Sequence, residues 1–446
     1  MKSESKSIDV LIINSPLFRD KVDGYDEDSL PPLGLGYIAT DLWSNGITVE
    51  LLDAVEENVP IGVLLEAIRL KRPCYVALNV FTTNLHLVRE IVELSEGVKF
   101  IIGGLSTKNL WQNILLWDGS CPMDIVVGEG DFVVSAIIQG KPLDVLCQKG
   151  NRRVISVCVD SPYFPHDISS LTLDYSFFSN QPLKHVFGFN EVSIVTSRGC
   201  MYNCAFCSAA RSLNRDTPIR ERSASSVAGE IEALCRKYGD VGSVRVLDDL
   251  FLRNMESVSR AVRMFENSPV TWRAMAHILS FHRLDDNQLL ALRQSGCSEL
   301  FIGIESGSPR ILKKIHKTSD IDLIKTTIER LFRAGISIKG YFIFGFDTET
   351  IEDMRMSYEL ASWLKEASLR NDVGFRASVF QFRPYHGTEL YHDMIQKGRV
   401  IDEVIYHESL SQDIGRKQFN FTGGNFSEAP DEDLRRFIIQ TNALNQ

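Results

Sequence analysis

Two stretches in which short β-branched runs alternate with amphipathic segments, separated by a proline-rich interval, predict an α/β protein: a Rossmann-like parallel sheet followed by a partial (β/α)6 TIM-type barrel or a complete one. In the first stretch the runs are VLII (10–13), TVELL (48–52), YVALNV (75–80), KFIIGG (99–104) and DIVVGEG (124–130). Each is short and almost continuously apolar, as a strand covered on both faces requires. They predict a five-stranded sheet within residues 1–140. Residues 141–188 break the rhythm with Pro142, Pro162, Pro165 and Pro182, many serines, and Tyr163, Phe164, Tyr175, Phe177 and Phe178, and read as a connector packed onto its neighbours. Over 189–390 the alternation resumes as EVSIVT, SVRVLDD, TWRAMA, ELFIGIE, SIKGYFIFGF and VGFRASVFQF, with helices expected at Ser225–Tyr238, Asp286–Ser295 and Ile351–Ala367. In such a barrel the chemistry lies at the carboxyl ends of the strands, so functional residues are expected just after each run. Residues 391–446 read as a polar tail ending in a helix from Pro430 to Asn445.

Composition narrows the function classes. The 446 residues suffice for two to three domains, with 44% hydrophobic and 24% charged residues, as in ordinary globular proteins. A net charge of −10 opposes phosphate neutralisation as a source of binding energy, so no nucleic-acid partner is expected. No window reaches the roughly 18 apolar residues of a membrane span, and the start carries no secretory pattern. A cytoplasmic protein without a membrane partner is expected. The nine cysteines are an odd, scattered set in which only Cys200, Cys204 and Cys207 cluster.

That cluster directly follows the run EVSIVT and has the spacing C-x3-C-x2-C. Three thiolates within eight residues can wrap one compact, soft metal centre. A structural zinc site takes a fourth Cys or His, and neither type occurs between Cys207 and Cys235. Three thiolates suit a [4Fe-4S] cluster with one iron left for another ligand, while the bland alternative is three neighbouring buried cysteines. The spacing, with Phe206 just before the last cysteine, resembles the signature of the radical S-adenosylmethionine (SAM) superfamily. The resemblance implies that the open iron chelates the amine and carboxylate of SAM, and that an electron from the cluster cleaves it to a 5′-deoxyadenosyl radical that abstracts hydrogen from a substrate.

Further segments follow in the family's order. Leu247-Asp248-Asp249-Leu250-Phe251 resembles its D-D-x-F segment and makes Asp248 and Asp249 candidate cofactor contacts, although paired carboxylates there also read as a helix cap. Gly303-Ile304-Glu305-Ser306-Gly307-Ser308, with Lys313, Lys314 and Lys317 behind it, resembles G-x-E-S-G-s…K and implies cofactor contacts from Glu305, Ser306 and Lys317. Gly345-Phe346-Asp347-Thr348-Glu349-Thr350 resembles G-x-P-G-E-T with Asp347 and Thr348 in place of Pro and Gly; Ile343 and Gly345 are expected against the adenine. Pro384-Tyr385-His386-Gly387-Thr388-Glu389-Leu390 resembles P-x-P-G-T-x-L, with His386 replacing the second Pro. Tyr385 and His386 are candidate proton-handling groups, and Arg273, His277 and Arg383 are strand-end candidates for the substrate.

The first stretch, through Pro31-Pro32-Leu33-Gly34-Leu35-Gly36, Asp53-Ala54, Gly103-Gly104 and Gly128-Glu129-Gly130, resembles the cobalamin (B12)-binding domain that often precedes this barrel. No histidine occurs before His86, so the D-x-H-x-x-G loop that supplies a lower cobalt ligand in some cobalamin proteins is absent, and Leu105-Ser106-Thr107-Lys108 stands where Pro or His usually follows the Gly-Gly pair. The cofactors implied are a [4Fe-4S] cluster, SAM and, as an option, cobalamin. The expected activity is hydrogen abstraction from a small biosynthetic intermediate leading to diol dehydration or deoxygenation of a sugar-like or aminoglycoside-type substrate. The alternatives are cobalamin-dependent C-methylation and, remotely, an iron-sulfur redox sensor or electron carrier. The chemistry also implies an external electron donor, flavodoxin-like or a dedicated reductase.

Overall fold

A computed structural model describes residues 8–16, 30–57, 59–184, 188–399 and 425–445. The first sheet starts with β1 (Val10–Asn14), β2 (Val49–Asp53), β3 (Tyr75–Asn79), β4 (Lys99–Gly103) and β5 (Met123–Gly128), parallel in the order β2-β1-β3-β4-β5. Val10 and Ile12 pack with Ala39, Leu42 and Val133 on one side, whereas Leu11 and Ile13 pack with Leu64, Val88 and Leu110 on the other. Successive residues of a strand point to opposite faces, so burial of both faces explains the unbroken apolar runs. The strand order reverses between β1 and β3, which opens a crevice at the carboxyl ends.

The sheet is wider than the five strands expected. β6 (Val145–Lys149) and β7 (Arg152–Val157) extend it, β7 parallel to β5 and β6 antiparallel at the edge. Pro142 reads as the start of a connector, yet Val154, Ile155 and Val157 are buried, and Arg152 donates to the carbonyls of Leu115, Asp118 and Gly119 at 3.3, 3.1 and 2.7 Å. Beyond β7, Phe164, Ile168, Tyr175 and Phe178 are buried against the neighbouring layers.

The second sheet has a two-residue edge strand, β8 (Leu183–Lys184), antiparallel to β9 (Asn190–Ile194). A ribbon of β10 (Ser197–Arg198) and β11 (Arg220–Glu221) follows, then β12 (Ser243–Val246), β13 (Thr271–Ala276), β14 (Cys297–Glu305), β15 (Ser337–Phe344) and β16 (Phe375–Gln381). Six strands, β9 and β12 to β16, are parallel neighbours in chain order and form a curled half-barrel. The expected helices occur at Ala224–Tyr238, Asp286–Gln294 and Ile351–Arg370, with Ser223, Asp285 and Thr350 as N-caps. The terminal helix spans Asp431–Ala443; behind it Asn445 exchanges two 2.8 Å hydrogen bonds with the backbone of Ala377, covering part of the β16 edge. The rest of the expected tail, 400–424, lies outside the described residues.

Candidate functional site

The cysteine loop leaves the barrel at the carboxyl end of β9. Buried Asp248, after β12, anchors its start by accepting hydrogen bonds from the Thr196 amide (2.6 Å), the Thr196 hydroxyl (2.7 Å) and the Ser197 hydroxyl (2.6 Å). Its described bonds therefore go to the loop. The neighbouring Asp249 accepts from the Gly199 amide at 2.9 Å. Further along, the Ala205 amide donates to Ile315 O (3.2 Å), the Leu390 amide donates to Ala205 O (3.0 Å), and His316 Nδ1 bonds Asn203 O at 2.9 Å. Three separate barrel segments thus hold the loop in shape.

Cys200, Cys204 and Cys207 are each partly buried and free of disulfides. Burial raises all three thiol pKa values, that of Cys207 to about 12, so metal binding here must displace protons. Among the described residues no three His, Cys, Asp or Glu side chains converge on one metal-ion position. A cubane takes each thiolate on a different iron, so the three cysteines of the loop need not share one metal-ion position to hold it.

The other predicted residues divide into those the fold brings to the loop and those it holds elsewhere. Lys317 Nζ lies 3.2 Å from Glu305 and donates to Gly303 O at 3.0 Å, and its charge acts on Cys200 and Cys204. The His277 ring stacks on Tyr202 at 3.8 Å and 15°, and its Nδ1 accepts from the Leu279 amide at 3.3 Å. Burial, then the Lys317 charge, lowers its pKa to about 3 and keeps the imidazole neutral. Phe206 meets Phe346 edge-on at 5.9 Å, joining the loop to the Gly345 turn after β15, and Ile343 is half-buried on that strand. The Tyr385 phenol is raised by burial and feels the charges of Arg383 and Cys207.

Ser306 is completely buried, 3.0 Å from Ser357 Oγ, and accepts from the Ser308 amide at 3.1 Å, so these contacts shape the turn after β14. Arg273 is not at a strand end. It lies inside β13, fully buried, between Glu191 (2.6 and 2.5 Å) and Glu299 (3.0 Å), and Glu299 also takes Arg376 at 2.7 Å. This places Arg273 in a charged layer within the half-barrel, below the strand ends. His386 Nδ1 lies 3.0 Å from Thr82 Oγ1, and Asn109 donates to His386 O at 3.2 Å. Its ring therefore serves contact with the first sheet, and burial, then Arg383, lowers its pKa to about 4.

Two features escaped the sequence reading. Glu349 is fully buried and accepts from the Gly345 and Phe346 amides at 2.5 and 3.0 Å, holding the turn beside Phe206; the glutamate of the G-x-P-G-E-T segment was its signal. In the same turn Thr348 has φ +69°, where the family segment has glycine, and Asp347 binds Lys314 (2.9 Å), Lys397 (3.0 Å) and Arg399 (2.5 Å). The second feature is a cleft of about 670 Å³ between the two sheets. It is lined by the carboxyl ends of β1, β3, β4, β5 and β7 on one side and by Arg198, Cys200 and Asp249 on the other. Gly103 there is bare, since an added Cβ would meet nothing within 4 Å. Gly104 instead serves the sheet itself, because its Cβ would lie 2.8 Å from the Val80 backbone.

Comparison with known proteins agrees with this arrangement. Residues 194–361 match the Radical SAM superfamily model and residues 25–138 match the B12 binding domain model. An uncharacterized methyltransferase of Pyrococcus horikoshii is 26% identical over 81% of this chain and 78% of its own. The cytidylyl-2-hydroxyethylphosphonate methyltransferase of Streptomyces wedmorensis is 29% identical over 50% of this chain and 41% of its own. The fold is that of two solved enzymes. One is the radical SAM methyltransferase TsrM of Kitasatospora setae, solved with cobalamin and a [4Fe-4S] cluster (TM-score 0.58, 17% identity, 87% of this chain and 78% of that one). The other is the cobalamin-dependent SAM radical enzyme OxsB (TM-score 0.61, 16% identity, 92% and 63%). No helix among the described residues is long and apolar enough to cross a membrane. With both domain models matched in order, and the cysteine loop facing the crevice of the first sheet, the chain belongs to the radical SAM superfamily, in the group that carries an amino-terminal B12 binding domain.

Proposed function

We propose that this enzyme binds cobalamin in the cleft between its two sheets and methylates a carbon of a small biosynthetic intermediate. The observation that carries the reading is that one cleft is shared by the strand ends of the B12-type sheet and by Cys200 and Asp249 of the barrel. A cofactor held there would border the start of the cysteine loop. Relatives whose names include methyltransferase favour this outcome over the dehydration or deoxygenation expected from the sequence.

Cys200, Cys204 and Cys207 hold the cluster, which when bound supplies the electron that splits SAM; cobalamin when bound supplies a carrier for a methyl group. Around them Lys317 and Glu305 set the local charge, while Phe206 and the Gly345 turn close the loop's apolar flank. Neutral His277 keeps Tyr202 stacked in place. For the external one-electron donor we propose a flavodoxin-like protein or a dedicated reductase, and for the compartment the cytoplasm.

In balance, a substrate C–H, two molecules of SAM and two electrons give the methylated product, 5′-deoxyadenosine, methionine and S-adenosylhomocysteine. The test is anaerobic reconstitution with iron and sulfide in the presence of hydroxocobalamin. Corrinoid absorption that survives gel filtration, with both nucleoside products formed on reduction, supports methyl transfer. 5′-Deoxyadenosine alone, from protein that retains no corrinoid, would select the dehydration reading instead.

A further inference from the structure

A cluster of four ions bridges the two sheets beside the cleft. β5 ends in Gly128, at φ +120°, where an added Cβ would fall 2.2 Å from Val157 O; only glycine lets the chain leave the strand here. The next residues carry Glu129 and Asp131. Across the gap the β10–β11 ribbon sets Arg198 directly opposite Arg220 in register, an arrangement that is repulsive by itself. The carboxylates resolve it. Arg198 forks onto Asp131 at 2.7 and 2.8 Å and also donates to Glu129 at 2.6 Å, while Arg220 pairs with Glu129 and donates to Pro165 O at 2.7 Å. None of the four side chains is more than 20% exposed, and Phe164 lies 4.3 Å beneath the Arg220 guanidinium.

We propose that this ion cluster is a positioning device that fixes the distance between a corrinoid in the cleft and the cysteine loop, Arg198 standing two residues before Cys200. The inference rests on the reading of the cleft given above. Apolar contact would hold the sheets together but would let them slide. A buried bidentate fork is directional, and removing one partner leaves an uncompensated charge behind. The four residues also lie within the cleft wall, so the cluster borders the space whose geometry it sets.

The test compares wild type, Arg198→Lys and Asp131→Asn as full-length protein, reconstituted with iron and sulfide and loaded with hydroxocobalamin. The readout is the magnetic interaction, by electron paramagnetic resonance, between the reduced cluster and the cob(II)alamin form of the probe. Arg198→Lys keeps the charge but loses the fork; matched iron content shows that the loop still folds. The expected result is an interaction clearly weakened in both variants, with the dissociation constant for hydroxocobalamin raised about tenfold. If Asp131→Asn holds no iron, Arg198→Lys alone decides. Wild-type interaction in the iron-loaded variants would overturn the clamp and leave the cleft reading standing. A wild-type protein that takes up no hydroxocobalamin would overturn the cleft reading and the clamp together.

Discussion

Cys204 is the middle cysteine of the loop, and its removal leaves two of the three thiolates proposed to hold the cluster. The Cys204→Ala variant should lose the brown chromophore on reconstitution, and formation of 5′-deoxyadenosine should fall to background; cleavage retained at the wild-type rate would falsify the cluster assignment. Glu349 offers a second test at this scale, through pH. Burial raises its pKa to about 8 against the two amides that lower it, whereas in the unfolded chain a glutamate titrates near its ordinary value of about 4.3. Between those values the folded state binds the extra proton, so stability falls as pH rises, by up to about 1.4 kcal/mol per unit. The carboxyl's stabilising contribution is complete below the lower value and lost above the upper one. Glu349→Gln still accepts from both amides through its carbonyl oxygen. Thermal unfolding from pH 5 to 8 should therefore be flatter in the variant than in wild type, and parallel curves would show that the group does not titrate there.

At the scale of elements, the loop's shape depends on anchors that no local pattern reveals. Asp248 was read from its motif as a cofactor contact, but its described hydrogen bonds reach Thr196 and Ser197, about 50 residues earlier. Asp248→Asn replaces one acceptor oxygen with a donor and should cost about 1–3 kcal/mol. The expected outcome is a lower melting temperature and faster loss of iron in air. A raised KM for SAM with unchanged melting would instead mark the carboxylate as a cofactor contact. The same contrast explains what was legible. Strands were readable because a strand buried on both faces must be apolar throughout, and the cysteines because their spacing is local. β6 and β7 were hidden because a hairpin that follows Pro142 and opens the proline- and serine-rich interval resembles a linker until Val154 and Ile155 are seen in the first sheet. Arg273 reads as a strand-end candidate for the substrate because its run could end there; its partners Glu191 and Glu299 lie in other strands, and sequence cannot pair them.

For the whole molecule the least legible feature is how the two sheets meet, because it joins residues some 300 positions apart, Thr82 with His386. Gly387 tests that contact. It has φ +80°, and a Cβ there would lie 2.2 Å from the Asn109 side chain, which donates to His386 O. Alanine must therefore bear backbone strain and also push Asn109 away. Gly140 separates the two costs, since it has φ +67° and open space around an added Cβ. Gly140→Ala should lose only the roughly 1–2 kcal/mol of a left-handed alanine, less the gain from a stiffer unfolded chain. Gly387→Ala should lose about 1 kcal/mol more for the displaced hydrogen bond. That excess belongs to the junction between the sheets, so hydrogen exchange should quicken in the segments around Thr82 and Asn109 and not in the Ile351–Arg370 helix, which packs on β15, β16 and the terminal helix. Equal losses in the two variants would mean that Asn109 moves without consequence and that the junction is held by other contacts, the Arg198 cluster first among them.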